Sequence, residues 1–243
     1  MSHSLSKAKG GTLRIAELYA SRQGEGLLTG TSSAFIRVSG CNLRCWFCDT
    51  PHASWNPEGA QQSIDSIVAD VMKLQVSHVV LTGGEPMLFP EIVTLCRQLA
   101  DRGLHTTIET AGTIYQDTAC DLMSISPKLA GSRPRDGSIG EKWQQQHDRR
   151  RWAVDVVRRL MVESPDYQLK FVVDEPDEQV EVQRMVDELR PDVDPAKVWI
   201  MPQSRSTAEL DAHESWLRPW CDQQGFQYCD RMHLRWYGNV RGT

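Results

Sequence analysis

Short apolar runs alternate with stretches of helical spacing along most of the chain. Residues 33–38, with Phe35, Ile36 and Val38, are apolar and β-branched enough for a strand. In residues 63–74, Ile64, Ile67, Val68, Val71 and Leu74 recur at helical spacing behind Ser63, a good N-cap. The same pair follows at 78–81 and 90–101, where Gly103 stops the helix. Further strands are expected at 13–18, 104–108, 121–125, 168–173, 198–201 and 226–230, and further helices at 152–161, 177–189 and 208–221. Residues 51–62 read as loop, and residues 21–26 as a tight turn. Residues 130–146, polar and rich in Gly, Ser and Arg, read as a loop or insertion of no predictable structure. This is the βα pattern of a parallel sheet or open barrel. There is room for about six repeats, fewer than the eight that close a barrel.

The ends of the expected strands carry polar residues. Cys41, Cys45 and Cys48 follow the strand at 33–38, after Gly40 breaks it. Thr82-Gly83-Gly84-Glu85-Pro86, Glu109-Thr110, Ser126-Pro127-Lys128 and Gln203 end later strands. In parallel α/β folds these ends share one rim, where binding and chemistry collect. Three thiolates on one loop suit a soft metal. A closed zinc site needs a fourth ligand, for which His52 is a candidate. An iron–sulfur cluster normally takes four cysteines, so three would leave one iron open to an outside ligand. Gly83 and Gly84 offer bare backbone to a ligand. Glu109 can accept from hydroxyl or amino groups, and Ser126 and Lys128 can meet an anion.

Composition narrows the classes. The 243 residues fit one domain, expected to span 1–243, and include no apolar run of membrane-spanning length. The start of the chain lacks an apolar signal region. Seven cysteines, three of them clustered, point to a reducing, cytoplasmic setting rather than a disulfide framework. Cys96, on a helix, and Cys120, just before a strand, read as buried small apolar residues, and Cys221 and Cys229 are not expected to hold a metal. A formal charge of −5 argues against a nucleic-acid surface, and no membrane partner is expected.

The C-x3-C-x2-C spacing with Phe47 before the third cysteine resembles the signature of the radical S-adenosylmethionine (SAM) superfamily. Gln23-Gly24-Glu25-Gly26, Phe35-Ile36-Arg37, Cys48-Asp49-Thr50, Glu109-Thr110-Ala111-Gly112 and the ending Trp236-Tyr237-Gly238-Asn239-Val240-Arg241-Gly242 are similar to the 7-carboxy-7-deazaguanine synthase family within it. The resemblance implies an incomplete, modified open barrel of (β/α)6 type and a homodimer. It implies a lyase that converts 6-carboxy-5,6,7,8-tetrahydropterin to 7-carboxy-7-deazaguanine and ammonia for queuosine and related deazapurines. A 4Fe–4S cluster would sit on Cys41, Cys45 and Cys48, with an electron donor such as flavodoxin or ferredoxin. SAM would lie against Phe47, Cys48, Asp49, Gly84, Glu85, Glu109, Ser126, Pro127, Lys128 and Gln203. Substrate would meet Ser21, Arg22, Gln23, Glu25, Arg37, Thr82 and Thr243, with Mg²⁺ on Thr50. Two other readings remain at this point. A glycyl-radical-enzyme activating protein shares the cysteine motif but does not need Gln23-Gly24-Glu25 or the aromatic ending. A zinc-binding interaction module needs the cysteines alone.

Overall fold

The computed structural model describes residues 10–242. Strand β1 (Thr12–Arg22) pairs antiparallel with β2 (Ser32–Val38), which leads into the cysteine loop and a short helix, α1 (Pro51–Ser54). Edge strand β3 (Ala60–Ser63) and helix α2 (Ile64–Lys73) follow. The chain then runs β4 (His78–Gly83), α3 (Glu91–Ala100), β5 (His105–Thr110), β6 (Leu122–Ile125), α4 (Glu141–Arg150), α5 (Val154–Glu163), β7 (Tyr167–Val173) and α6 (Glu178–Glu188). It ends with β8 (Val198–Pro202), α7 (Thr207–Gln224), β9 (Gln227–Tyr228) and α8 (Met232–Tyr237). The nine strands form one open sheet ordered β3-β1-β2-β4-β5-β6-β7-β8-β9, parallel from β2 onward. This is the expected open α/β barrel. The β5–β6 crossover holds no helix, so one of the repeats is abbreviated. No helix among the described residues is long and apolar enough to cross a membrane.

Period-two alternation sorts each parallel strand between two environments. Ala34, Ile36 and Val38 of β2, Val79 and Leu81 of β4, Ile108 of β5, and Leu169, Phe171 and Val173 of β7 join the apolar core. Ile67, Val71, Leu95, Leu99, Leu160, Met185 and Leu217 pack there from the helices. The intervening residues Arg37, Thr82, Glu109, Ser124, Lys170 and Val172 line cavities inside the barrel. Register places Arg37 opposite Thr82 and Glu109 opposite Ser124, so polar residues of neighbouring strands fall in one layer.

Several elements differ from expectation. Ser21 and Arg22 belong to β1 rather than to a turn, and the turn proper closes from Gln23 to Thr31, where Gln23 N donates to Thr31 O at 2.9 Å. Residues 51–62 hold α1 and β3. Strand β3 reads Ala-Gln-Gln-Ser and pairs on its one partnered side with β1, so it carries no apolar signal. Part of the 130–146 stretch forms α4, whose buried residues are Gln144 and His147, so hydrophobic periodicity had nothing to register. Ser63 caps α2 as expected, accepting from Ser66 N.

Candidate functional site

The site begins where β2 ends. Gly40 takes a φ of +128° and Gly83, at the end of β4, one of +123°, both open to glycine and strained for other residues. The two turns press together. Gly84 N donates to Val38 O and Glu85 N to Gly40 O, each at 2.9 Å. A Cβ on Gly84 would stand 1.9 Å from Gly40 O. Beyond this contact Cys41, Cys45 and Cys48, all free thiols, line a cavity of about 180 Å³. Burial pushes the Cys41 and Cys45 thiols up to about 12. Cys48 Sγ lies 3.0 Å from Ser54 Oγ and 3.8 Å from Thr50 Oγ1. Trp55 Nε1 donates to Cys45 O at 3.1 Å.

Most of the residues expected around a cofactor converge here. Phe47, Asp49, Gly84, Glu109, Ser126, Lys128 and Gln203 line the same cavity as the cysteines. Lys128 Nζ donates to Ser126 O and Oγ at 2.8 and 2.7 Å. Glu85 and Pro127 do not line it. Glu85 is fully buried and its carboxylate is occupied: Oε1 accepts from Met87 N and Thr110 Oγ1, and Oε2 from Ala111 N. It ties the end of β4 to the end of β5, and burial pushes its carboxyl up.

A second cavity of about 170 Å³ adjoins the first. Arg22, Gln23, Arg37, Tyr19 and His233 line it, and Glu25, Asp49, Thr50, Thr82, Gly83 and Glu109 line both. Ser21 lines neither, and Thr243 lies outside the described residues. Arg37 Nε donates to Glu17 Oε2 at 2.6 Å and Nη2 to Tyr19 Oη at 3.2 Å. Its Nη1 takes no hydrogen bond among the described residues. Thr82 Oγ1 donates to Glu109 Oε2 at 2.9 Å.

The boundary between the cavities is a charge network built on two buried cations. Lys170 Nζ reaches Glu25 Oε2 at 2.5 Å and Glu109 Oε1 at 3.5 Å. Arg231 donates from Nε to Glu25 Oε1 at 3.1 Å and from Nη2 to Asp49 Oδ2 at 2.8 Å. Burial alone would raise the Glu25 carboxyl, but Lys170 and Arg231 outweigh it and hold it far below the usual range. Burial likewise opposes charge on Lys170, yet Glu25 and Glu109 keep its ammonium form favoured. Sequence reasoning named neither cation. Lys170 left a trace, a charged residue midway through an apolar strand. Arg231 left none.

The C-terminal segment meets β1 and the turn after it. Met232 N donates to Gly24 O at 2.8 Å, Gly26 N to Cys229 Sγ at 3.1 Å, and Arg22 Nε to Tyr237 Oη at 3.0 Å. The Arg22 guanidinium lies 4.3 Å from the centre of the Trp236 ring. Arg241 Nε reaches Glu17 Oε1 at 2.5 Å. The chain thus passes from β9, at one edge of the sheet, back to β1 near the other.

The radical SAM superfamily model matches residues 35–128. The 7-carboxy-7-deazaguanine synthase of Rhodopirellula baltica is 49% identical over 98% of this chain and 91% of its own length. That of Halobacterium salinarum is 43% identical over 96% of this chain and 94% of its own. This chain belongs to the 7-carboxy-7-deazaguanine synthase family. The crystal structure of QueE from Escherichia coli matches with a TM-score of 0.69, covering 96% of this chain and 100% of that one; at 21% identity the likeness is one of fold.

As a radical SAM enzyme, the family member uses a 4Fe–4S cluster and SAM. The donor set fits such a cluster. Three soft ligands stand on one loop at the wall of a cavity that the Gly83-Gly84 backbone also lines, and a metal would displace their protons on binding. The zinc alternative loses its fourth ligand, because His52 Nε2 faces Glu17 Oε2 at 3.3 Å and does not line the cysteine cavity. Full-length likeness to 7-carboxy-7-deazaguanine synthases replaces the glycyl-radical alternative.

Proposed function

We propose that this protein converts 6-carboxy-5,6,7,8-tetrahydropterin to 7-carboxy-7-deazaguanine with loss of ammonia, supplying queuosine and related 7-deazapurines. One observation supports this most: two adjoining cavities share a rim, one walled by three thiols and the other by Arg37 and Gln23. A radical source and an anionic, hydrogen-bonding substrate fit side by side. The bound cluster and SAM supply one-electron bond cleavage and hydrogen-atom abstraction, chemistry that side chains do not provide.

The chain's own residues do the rest. Cys41, Cys45 and Cys48 hold the cluster. The Gly83-Gly84 backbone, Ser126, Lys128 and Glu109 receive the polar ends of SAM, and Phe47 and Gln203 line its chamber. Arg37, fixed by Glu17 and Tyr19, turns its spare Nη1 to the pterin carboxylate. Thr50, which lines both cavities as Asp49 does, would offer Mg²⁺ an oxygen ligand. The charge network around Glu25 and Lys170 holds polar groups in place for the ring and its departing nitrogen. A single domain carries the activity. We place it as a homodimer in a reducing cytoplasm, with an acidic one-electron carrier such as flavodoxin or ferredoxin as donor.

Anaerobic reconstitution tests this reading. With reductant, SAM and the carboxytetrahydropterin, the expected product is a 7-deazapurine carboxylate, read by mass. Replacing Cys41, Cys45 or Cys48 with Ala should abolish iron binding and turnover, whereas replacing buried Cys96 or Cys221 should leave iron content unchanged. A reconstituted protein that cleaves SAM but leaves the pterin intact would overturn the substrate assignment.

A further inference from the structure

The excursion between β6 and α5 has no part in the chemistry above, yet it grips the cysteine loop. It leaves Lys128 and returns to it: Lys128 N donates to Arg151 O, and Arg151 Nη1 to Lys128 O, both at 3.1 Å. Within it, His147 of α4 is fully buried. Arg44 N donates to His147 Nδ1 at 3.1 Å, so that nitrogen carries no proton. The neutral ring's proton then sits on Nε2, which donates to Ser132 Oγ at 2.9 Å. Ser132 Oγ in turn donates to Leu129 O at 2.7 Å. Burial pushes the imidazole down to about 4, in keeping with a neutral ring.

On the other side of Cys45, Trp46 N donates to Ser132 O at 3.2 Å and Trp46 Nε1 to Gly131 O at 2.8 Å. Arg44 stacks 4.1 Å from the Trp143 ring, and Arg135 lies 4.2 Å from the Trp46 ring. Both backbone amides that flank the middle cysteine are therefore spent on this excursion. The same segment is tied at its base to Lys128, which lines the thiol cavity together with the three cysteines.

We propose that His147 and Ser132 are positioning residues that hold the cysteine loop at a set distance from the Ser126–Lys128 end of β6. The 129–151 excursion would then be the clamp that sets the geometry of cluster against SAM. This inference rests on the radical SAM reading for its consequence, though the clamp itself concerns only the protein. It explains why a helix with a polar buried face has a place in the fold: Gln144 and His147 point inward to bond rather than to fill an apolar core. An imidazole is suited to the task because it accepts on one side and donates on the other in a rigid ring.

The test compares His147→Leu, His147→Asn and Ser132→Ala with the parent protein. Asn keeps an acceptor near the Nδ1 position; Leu keeps neither function. Amide hydrogen exchange on the metal-free protein should show peptides spanning 42–47 opening about tenfold or more faster in His147→Leu. Peptides from β4 should be unaffected, and Asn should restore much of the protection. In the reconstituted enzyme, iron loss to a chelator should accelerate in the same order. The electron paramagnetic resonance change that SAM induces should also be altered in Leu and restored in Asn. Ser132→Ala, which leaves the Arg44 bond intact, should give a smaller effect and serves if His147→Leu fails to fold. Exchange that rises equally in loop and sheet, or an Asn variant no better than Leu, would overturn the clamp. A parent protein that takes up no iron would overturn the radical SAM reading instead, and the exchange measurement would still decide the clamp.

Discussion

The Glu25–Lys170 pair allows a quantitative test of how the barrel interior is held. Lys170 is 4% exposed, and its ammonium touches carboxylates of Glu25 and Glu109. Lys170→Met keeps the stem's bulk and removes the charge. Glu25 and Asp49 would then share Arg231, and Glu109 would lose its cation. Breaking one partner of a buried pair costs about 3–5 kcal/mol, because the other charge stays desolvated. For a chain of this size each kcal/mol lowers Tm by about 2–4 °C, so a fall of about 6–20 °C is expected. Glu25→Gln should also destabilise, by freeing Lys170. The double variant removes both charges and should recover a coupling energy of roughly 2 kcal/mol or more. The pH dependence follows from the directions of the shifts. The Glu25 carboxyl is held low in the folded protein, so its stabilising contribution is present above about pH 4.5 and is lost as pH falls below that value. In Lys170→Met that carboxyl loses its strongest attraction and rises, so the folded variant takes up a proton earlier. The gap between parent and variant should therefore narrow as pH falls through about 4.5 and below, where the parent loses this contribution. Urea melts of the four proteins at several pH values measure all of this. A loss below 1 kcal/mol for Lys170→Met, or strict additivity in the double variant, would refute the reasoning.

Three further outcomes are expected. Gly84→Ala places a methyl 1.9 Å from Gly40 O and must push the β4 turn off the cysteine loop; SAM cleavage should fall about 100-fold, and wild-type cleavage would show that the turns part freely. Thr50→Val should keep the cluster while weakening pterin binding and abolishing any response to Mg²⁺, seen as an unchanged KM across a Mg²⁺ titration. Arg241→Ala removes the contact with Glu17 that also fixes Arg37; KM for the pterin should rise several-fold with iron content intact, and unaltered kinetics would make the tail contact incidental.

What the sequence determined by itself is what local chemistry can specify. Apolar runs and helical spacing marked the strands and helices of the open barrel, because each buries one face in a shared core. The cysteine loop, the Gly83-Gly84 turn and Ser126-Lys128 were legible because their residue types serve poorly as structure and sit at strand ends. Glu85 looked like one of them, and only the packed fold spent its carboxylate on Thr110, Ala111 and Met87. Lys170, Arg231 and His147 were out of reach for a related reason. Each is defined by partners far along the chain, 145 residues away for Lys170 and Glu25, 206 for Arg231 and Glu25, and 103 for His147 and Arg44. A polar residue in a tail or a hydrophilic helix has no apolar period to betray it, and a lysine within an apolar strand gives no sign of its partner. Its burial is decided when the sheet curves and the loops pack around it, and tertiary structure alone settles which charges meet there.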